Sequence, residues 1–75
     1  MKEDELRNTI TELLSELGTS TSDELISHLL MNKNINVDAK TLRKVISQLI
    51  REGIILKIPD AGKKKFILRL SVIKP

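Results

Sequence analysis

Three segments of the chain repeat apolar residues every three or four positions, which is the spacing of one face of an α-helix. The first set consists of Leu6, Ile10, Leu13, Leu14 and Leu17. It predicts a helix over about residues 3–17, with Glu3, Asp4 and Glu5 at the positive end of the helix dipole. Gly18 follows the last apolar residue and predicts where this helix ends.

The second set predicts a helix over about residues 22–32, and its buried face consists of Leu25, Ile26, Leu29 and Leu30. Thr21 precedes Glu24 by three residues, which is the pattern of a capping box. Ser22 is an alternative cap, one residue later. The turn-favouring residues that follow predict a loop, in which Ile35 and Val37 point inward.

The third set predicts a helix over about residues 38–52, with a core stripe of Leu42, Val45, Ile46, Leu49 and Ile50. Asp38 is a suitable N-cap, and Gly53 predicts the end of the helix. This stripe turns the polar residues of the helix toward solvent, and Lys40, Arg43, Lys44 and Arg51 among them carry positive charge.

After the third helix the period changes from helical to alternating, which is typical of strands. Residues 54–58 are rich in β-branched side chains, Pro59–Gly62 is strong turn chemistry, and residues 65–70 predict a returning strand. In that strand Phe66, Leu68 and Leu70 share one face, and Lys65, Ile67 and Arg69 share the other. Residues 19–21 have room for a short third strand, and residues 71–75 are expected to fray.

The charge is divided unevenly between the two halves of the chain. Residues 38–75 contain ten Lys or Arg and three acids, whereas residues 1–37 contain three Lys or Arg and seven acids. The formal net charge of +3 therefore conceals a strongly two-sided chain. A concentrated basic half is typical of a surface that meets a polyanion, most plausibly nucleic acid.

Composition narrows the classes of function. At 75 residues the chain has room for one domain, 1–75, with a small core. It contains no Cys, so disulfides and thiolate metal sites are excluded, and its single aromatic residue cannot form a base-stacking platform. No apolar run has the length of a membrane span, and the acidic start is unlike a signal peptide. We therefore expect a cytoplasmic protein with no membrane partner.

Three predicted helices followed by a hairpin define an α+β plan. The residues SDELISHLL, VDAKTLRKVISQLIREGIILKI and DAGKKKFILRL resemble the winged-helix family of DNA-binding domains, over about residues 6–70. The resemblance implies a three-helix winged helix-turn-helix whose C-terminal β-hairpin is the wing. The connection at residues 31–37 is longer than in the simplest helix-turn-helix proteins, and the strand between the first two helices is short.

The resemblance also implies double-stranded DNA as the partner and transcription regulation as the role. The third helix then enters a major groove, and the wing follows the phosphate backbone. Arg43 and Lys44 are suited to guanine, and Gln48 to adenine. The expected contact residues are Lys40, Thr41, Arg43, Lys44, Ser47, Gln48, Lys63, Lys64 and Lys65. Lys57 and Arg69 extend this basic set along the wing.

No residue pattern indicates a catalytic site, a metal site or a cofactor. His28, the one histidine, lies opposite Leu25 and Leu29 and is expected to face solvent. Two other functions stay open: a winged-helix module that docks proteins in a replication, transcription or membrane-remodelling assembly, and, less favoured, an RNA or ribosome binder. A homodimer through the first helix and the apolar tail is as plausible as a monomer.

Overall fold

The computed structural model describes residues 2–32, 37–62 and 64–71, which form a small α+β arrangement of three helices and a three-stranded antiparallel sheet. The elements follow one another as α1 (Glu3–Leu17), β1 (Thr19–Ser20), α2 (Ser22–Asn32), α3 (Ala39–Arg51), β2 (Ile55–Asp60) and β3 (Lys65–Leu70). The three helices therefore lie where the apolar periodicity predicts them.

The sheet has the order β1-β3-β2, so the last strand of the chain lies in the middle. In the hairpin Ile58 lies opposite Ile67, and Asp60 lies opposite Lys65. On the other side of β3, Ser20 lies opposite Leu68, and Ser20 is buried. The predicted third strand is thus present, and its pairing with β3 joins the segment between α1 and α2 to the hairpin.

The capping residues predicted for the end of α1 and the start of α2 are found in place. Thr21 and Glu24 form the predicted capping box: the Thr21 hydroxyl accepts from the Glu24 N–H at 3.1 Å, and the Glu24 carboxylate accepts from the Thr21 N–H at 3.2 Å. At the end of α1 Gly18 has a φ of 81°, and its N–H donates to the carbonyl of Leu14. The chain therefore leaves α1 through a conformation that favours glycine.

Both ends of helix α3 are capped. The Asp38 carboxylate accepts from the Thr41 N–H at 2.9 Å. At the other end Gly53 has a φ of 82°, its N–H donates to the Ile50 carbonyl, and the Ile54 N–H donates to the Leu49 carbonyl. These last two bonds define a Schellman motif, which turns the chain directly from α3 toward β2.

One apolar core joins all three helices to the sheet. Its buried members are Leu6, Ile10, Leu13, Leu14, Leu25, Ile26, Leu29, Leu42, Val45, Ile46, Leu49, Ile55 and Leu68. Val37 is half-buried against this core, as predicted, whereas Ile35 lies outside the described residues. The core therefore fixes how α3 is rotated relative to the hairpin.

The α1 residues suggested for a dimer surface are buried inside the monomer. Leu6, Ile10 and Leu14 are at most 2% exposed. Beside them, the Arg7 guanidinium donates hydrogen bonds to both carboxylate oxygens of Glu52, at the end of α3. Val72 and Ile73, the other part of that suggestion, lie outside the described residues.

The hairpin turn lies farther along the chain than the turn residues suggest. Strand β2 continues through Pro59 and Asp60, and the turn begins at Ala61. Pro59 is tolerated because β2 is an edge strand, where one missing N–H costs no ladder hydrogen bond. Ser71, predicted to fray, donates its N–H to the Ile54 carbonyl, and residues 72–75 lie outside the described residues.

Substituting Leu14 with Ala tests whether the apolar face of α1 belongs to the core. Leu14 is 0% exposed, so Leu14→Ala should lower the free energy of unfolding by about 2–5 kcal/mol. Leu17→Ala, on the same helix but 37% exposed, is the matched control and should cost much less. Urea denaturation of both variants measures the difference, and equal losses would mean that α1 is not packed as described.

Candidate nucleic-acid interface

The exposed side of α3 gathers most of the predicted contact residues on one surface. Because the core stripe occupies the opposite side of the helix, these residues line a single shallow depression, consisting of Lys40, Thr41, Arg43, Lys44 and Ser47. All five are exposed. Three of them are cations within two helical turns, an arrangement that suits a polyanion.

A groove separates α3 from the inner face of the hairpin, and basic residues lie on both of its sides. Arg43 and Ser47 line it from α3, and Lys57 and Lys65 line it from the two strands. Ile46, Ile50 and Leu68 also line this groove, together with Phe66. The basic side of α3 and the wing therefore face a common space rather than opposite sides of the molecule.

The start of α2 borders the same groove. Thr21, Ser22 and Asp23 line it, and Arg43 donates to the Asp23 carboxylate at 3.4 Å. Both side chains are largely exposed, at 62% for Arg43 and 74% for Asp23, so this ion pair contributes little to stability. Arg43 is thus directed along the groove by a contact weak enough to exchange for a ligand.

The described lysines of the hairpin occupy two different kinds of position. Lys64 lies in the turn with a φ of 54°, and its N–H donates to the Asp60 carbonyl at 2.9 Å. Lys65 instead begins β3, opposite Asp60. Lys63 lies outside the described residues. Among the described lysines, Lys64 therefore occupies the turn and Lys65 the base of the strand.

A contact between Lys57 and Phe66 on the wing adds Phe66 to the residues predicted from sequence. The Lys57 ammonium lies 4.4 Å from the centre of the Phe66 ring, a cation–π contact on the groove side of the hairpin. Phe66 remains 51% exposed. The alternation along β3 predicts the face of Phe66, but it does not predict that the ring lies at the rim of the groove instead of inside the core.

Gln48 is less exposed than the other predicted contact residues on α3. Gln48 is half-buried, and its side-chain oxygen is shielded from solvent without a hydrogen-bond partner. Bidentate reading of adenine needs both the oxygen and the nitrogen of the amide. The predicted adenine contact of Gln48 therefore needs a change of side-chain conformation, and it stays a prediction.

The acidic half of the chain supplies a contrasting surface. Glu3, Asp4, Glu5 and Glu12 are exposed along α1, whereas exposed Lys and Arg predominate on α3 and the hairpin. His28 is exposed on α2, as predicted. The exposed acids of α1 and the exposed cations of α3 and the hairpin thus belong to different elements of the fold.

Within the described ranges no group of three or more His, Cys, Asp or Glu side chains is arranged to hold a metal ion. No helix in the same ranges combines the length and the apolar character needed to cross a bilayer. Comparisons with protein-family models, with curated proteins and with solved structures find no match to this chain.

The Asp38 cap at the start of α3 should make stability depend on pH. Hydrogen bonds from the hydroxyl and the backbone N–H of Thr41 lower the pKa of the Asp38 carboxyl below its usual value. A lowered pKa in the folded state means that this stabilisation is present above about pH 4 and is lost as pH falls through the folded pKa.

Asp38→Asn keeps an oxygen acceptor for the Thr41 N–H but cannot titrate. Thermal melts at pH 7 and at about pH 3 should therefore show a smaller acid-induced fall in Tm for this variant than for the unsubstituted protein. Parallel falls in the two proteins would show that Asp38 does not contribute through its charge.

Proposed function

We propose that this chain is a winged-helix protein that binds double-stranded DNA and acts as a small transcriptional regulator. The carrying observation is that Arg43 on α3 and Lys57 and Lys65 on the hairpin line one groove. The element order and the sheet order β1-β3-β2 are compatible with a winged helix, in which β2 and β3 form the wing.

In this proposal the first half of α3 enters the major groove. Arg43 and Lys44 lie on its exposed side and carry the donors that guanine O6 and N7 accept. Arg43 presents its guanidinium as a planar fork, so it is the residue best suited to bidentate recognition. One such contact discriminates between bases by about 1–3 kcal/mol.

Other residues in the same proposal position the protein on the duplex. Lys40 is exposed in the first turn of α3, so its ammonium can reach a phosphate, whereas the N–H and the hydroxyl of Thr41 are occupied by the Asp38 carboxylate. Lys64 in the turn and Lys65 at the start of β3 extend the cationic surface away from α3. These contacts carry affinity and salt dependence, but little sequence information.

A protein-docking module is the second candidate, because the groove is not purely polar. Ile50 and Phe66 line it beside the cations, and an exposed aromatic ring is a common anchor in protein interfaces. A partner with an acidic and apolar segment would satisfy both features. RNA is less favoured, since one aromatic side chain cannot stack several bases.

Titration with duplex DNA, single-stranded DNA and duplex RNA at two salt concentrations separates these functions. We expect duplex DNA to bind most tightly, with log K falling by about 0.9 per phosphate contact for each unit of log salt. Selection from a random duplex library then supplies a preferred sequence. No binding of duplex DNA at low salt would remove the proposal and favour protein docking.

Two substitutions separate base reading from phosphate binding. Arg43→Lys keeps the charge but loses the guanidinium fork, so it should reduce the preference for the selected duplex by about tenfold or more. Lys64→Asn removes a charge, and Asn tolerates the positive φ of this position. The variant should therefore bind all duplexes more weakly by a similar factor, and the slope of log K against log salt should become shallower by about 0.9.

The matched controls are Lys2→Ala, which removes an equal charge at the start of α1, and Gln48→Met, which replaces the shielded amide. Both should leave the affinity for the selected duplex unchanged. If Lys2→Ala weakens binding as much as Lys64→Asn does, binding depends on net charge and not on the surface described here.

A further inference from the structure

The Asp23 carboxylate borders the basic groove between α3 and the hairpin, where an acid opposes the binding of a polyanion. Asp23 lies in the first turn of α2 and lines this groove together with Arg43, Lys57 and Lys65. Among the described residues that line the groove, it is the one acid. Its side chain is 74% exposed, so the packing of the core does not require it.

Stabilisation of α2 does not by itself account for the position of Asp23. A carboxylate in the first turn of a helix interacts favourably with the helix dipole. The capping hydrogen bonds of α2, however, are made by Thr21 and Glu24, and Glu24 is a second acid in the same turn. The Asp23 carboxylate instead accepts from Nη2 of Arg43 at 3.4 Å. It therefore joins the start of α2 to the residue of α3 that is best suited to reading a base.

We propose that Asp23 is a positioning residue, which sets the sequence preference of the groove by holding the Arg43 guanidinium in place for guanine. This inference rests on the proposed DNA binding, and it adds a residue of α2 to those that determine sequence preference. Asp23 contacts Arg43 and need not contact the duplex. Its effect on sequence preference should therefore depend on the presence of the guanidinium.

The contact with Asp23 leaves Arg43 able to bind a base. A guanidinium has five N–H donors, and the hydrogen bond to the Asp23 carboxylate uses Nη2 alone. The donors that remain are sufficient for two hydrogen bonds to guanine O6 and N7. Holding the long Arg43 side chain before binding also reduces the rotamer entropy that is lost when the base contact forms. The ion pair thus favours the base contact even though it contributes little to folding.

The charge of Asp23 also acts against the other contacts that Arg43 can make. The Arg43 side chain is 62% exposed, so without a partner it can turn toward a phosphate, which carries no sequence information. The Asp23 carboxylate competes with phosphate for the guanidinium, and it repels phosphates that approach the groove. Asp23 therefore lowers the affinity for duplexes in general, and it lowers the affinity for a duplex with a guanine in reach of Arg43 by less.

Asp23→Ala tests this role through the preference ratio, which is the affinity for the selected duplex divided by the affinity for a random duplex. We expect the variant to bind random duplex more tightly and its preference ratio to fall by about threefold, the range of an exposed ion pair. For random duplex the slope of log K against log salt should steepen by about 0.9, because Arg43 is free to contact one more phosphate. Circular dichroism checks that the variant folds.

Glu12→Ala is the matched control, because it removes an equal charge from an exposed position on α1, away from the groove. It should leave both the preference ratio and the salt slope unchanged. Asp23→Glu keeps a carboxylate at the start of α2, so its preference ratio should exceed that of Asp23→Ala. If Glu12→Ala lowers the ratio as much as Asp23→Ala does, the effect belongs to net charge and the proposal is wrong.

Combining Asp23→Ala with Arg43→Lys gives the sharpest test. If Asp23 acts by holding the guanidinium, Asp23→Ala should lower the preference ratio in the unsubstituted protein but not in the Arg43→Lys protein. An equal fall in both proteins, or no fall in either, would overturn the proposal. If Arg43→Lys lowers the ratio and Asp23→Ala does not, this inference fails while the proposed DNA binding stands. Duplex binding without any preferred sequence also contradicts this inference alone, whereas no duplex binding removes both.

Discussion

The packing of the apolar stripe of α3 is the constraint on which the rest of the molecule depends. Leu42, Val45, Ile46 and Leu49 are all nearly inaccessible to solvent, and they contact a core to which every helix and two strands contribute. Once these four side chains are buried, the rotation of α3 is fixed. Its cations are then held outward, on a side that borders the hairpin.

The two faces of the hairpin carry different side chains, because successive residues of a strand point to opposite faces. Its inner face carries Ile55 and Leu68 into the core and presents Lys57 and Phe66 to the groove beside α3. Its other face carries Leu56 and Ile58. A change of register by one residue would exchange these faces, and the Schellman motif at Gly53 and the pairing of β1 with β3 help to fix that register.

Local chemistry in the sequence was sufficient to predict the helices, since capping residues and apolar period agree at each of them. The Thr21 and Glu24 pair and the Asp38 cap are examples in which a side chain satisfies a backbone group only a few residues away. The turn was misplaced because Pro59 reads as a turn residue, whereas its tolerance in β2 depends on that strand being at the edge of the sheet.

The candidate site was predicted less completely than the fold, because tertiary packing decides which residues line it. Periodicity assigned Gln48 to the exposed side of α3, but its side-chain oxygen is shielded from solvent. The same periodicity identified Leu6, Ile10 and Leu14 as apolar without revealing that the monomer alone buries them. The ring of Phe66 at the rim of the groove, and the single groove that Arg43 shares with Lys57, follow only from how the hairpin folds against α3.

Mapping of amide chemical shifts by NMR, with unlabelled duplex DNA added to the ¹⁵N-labelled protein, tests the central claim most directly. The account predicts that the perturbed amides cluster in the first half of α3 and along the groove side of the hairpin, near Lys57, Lys64 and Phe66. It also predicts that the acidic exposed side of α1 is unaffected. Perturbations confined to α1, or to Leu56, Ile58 and Ile67 on the other face of the hairpin, would contradict the account.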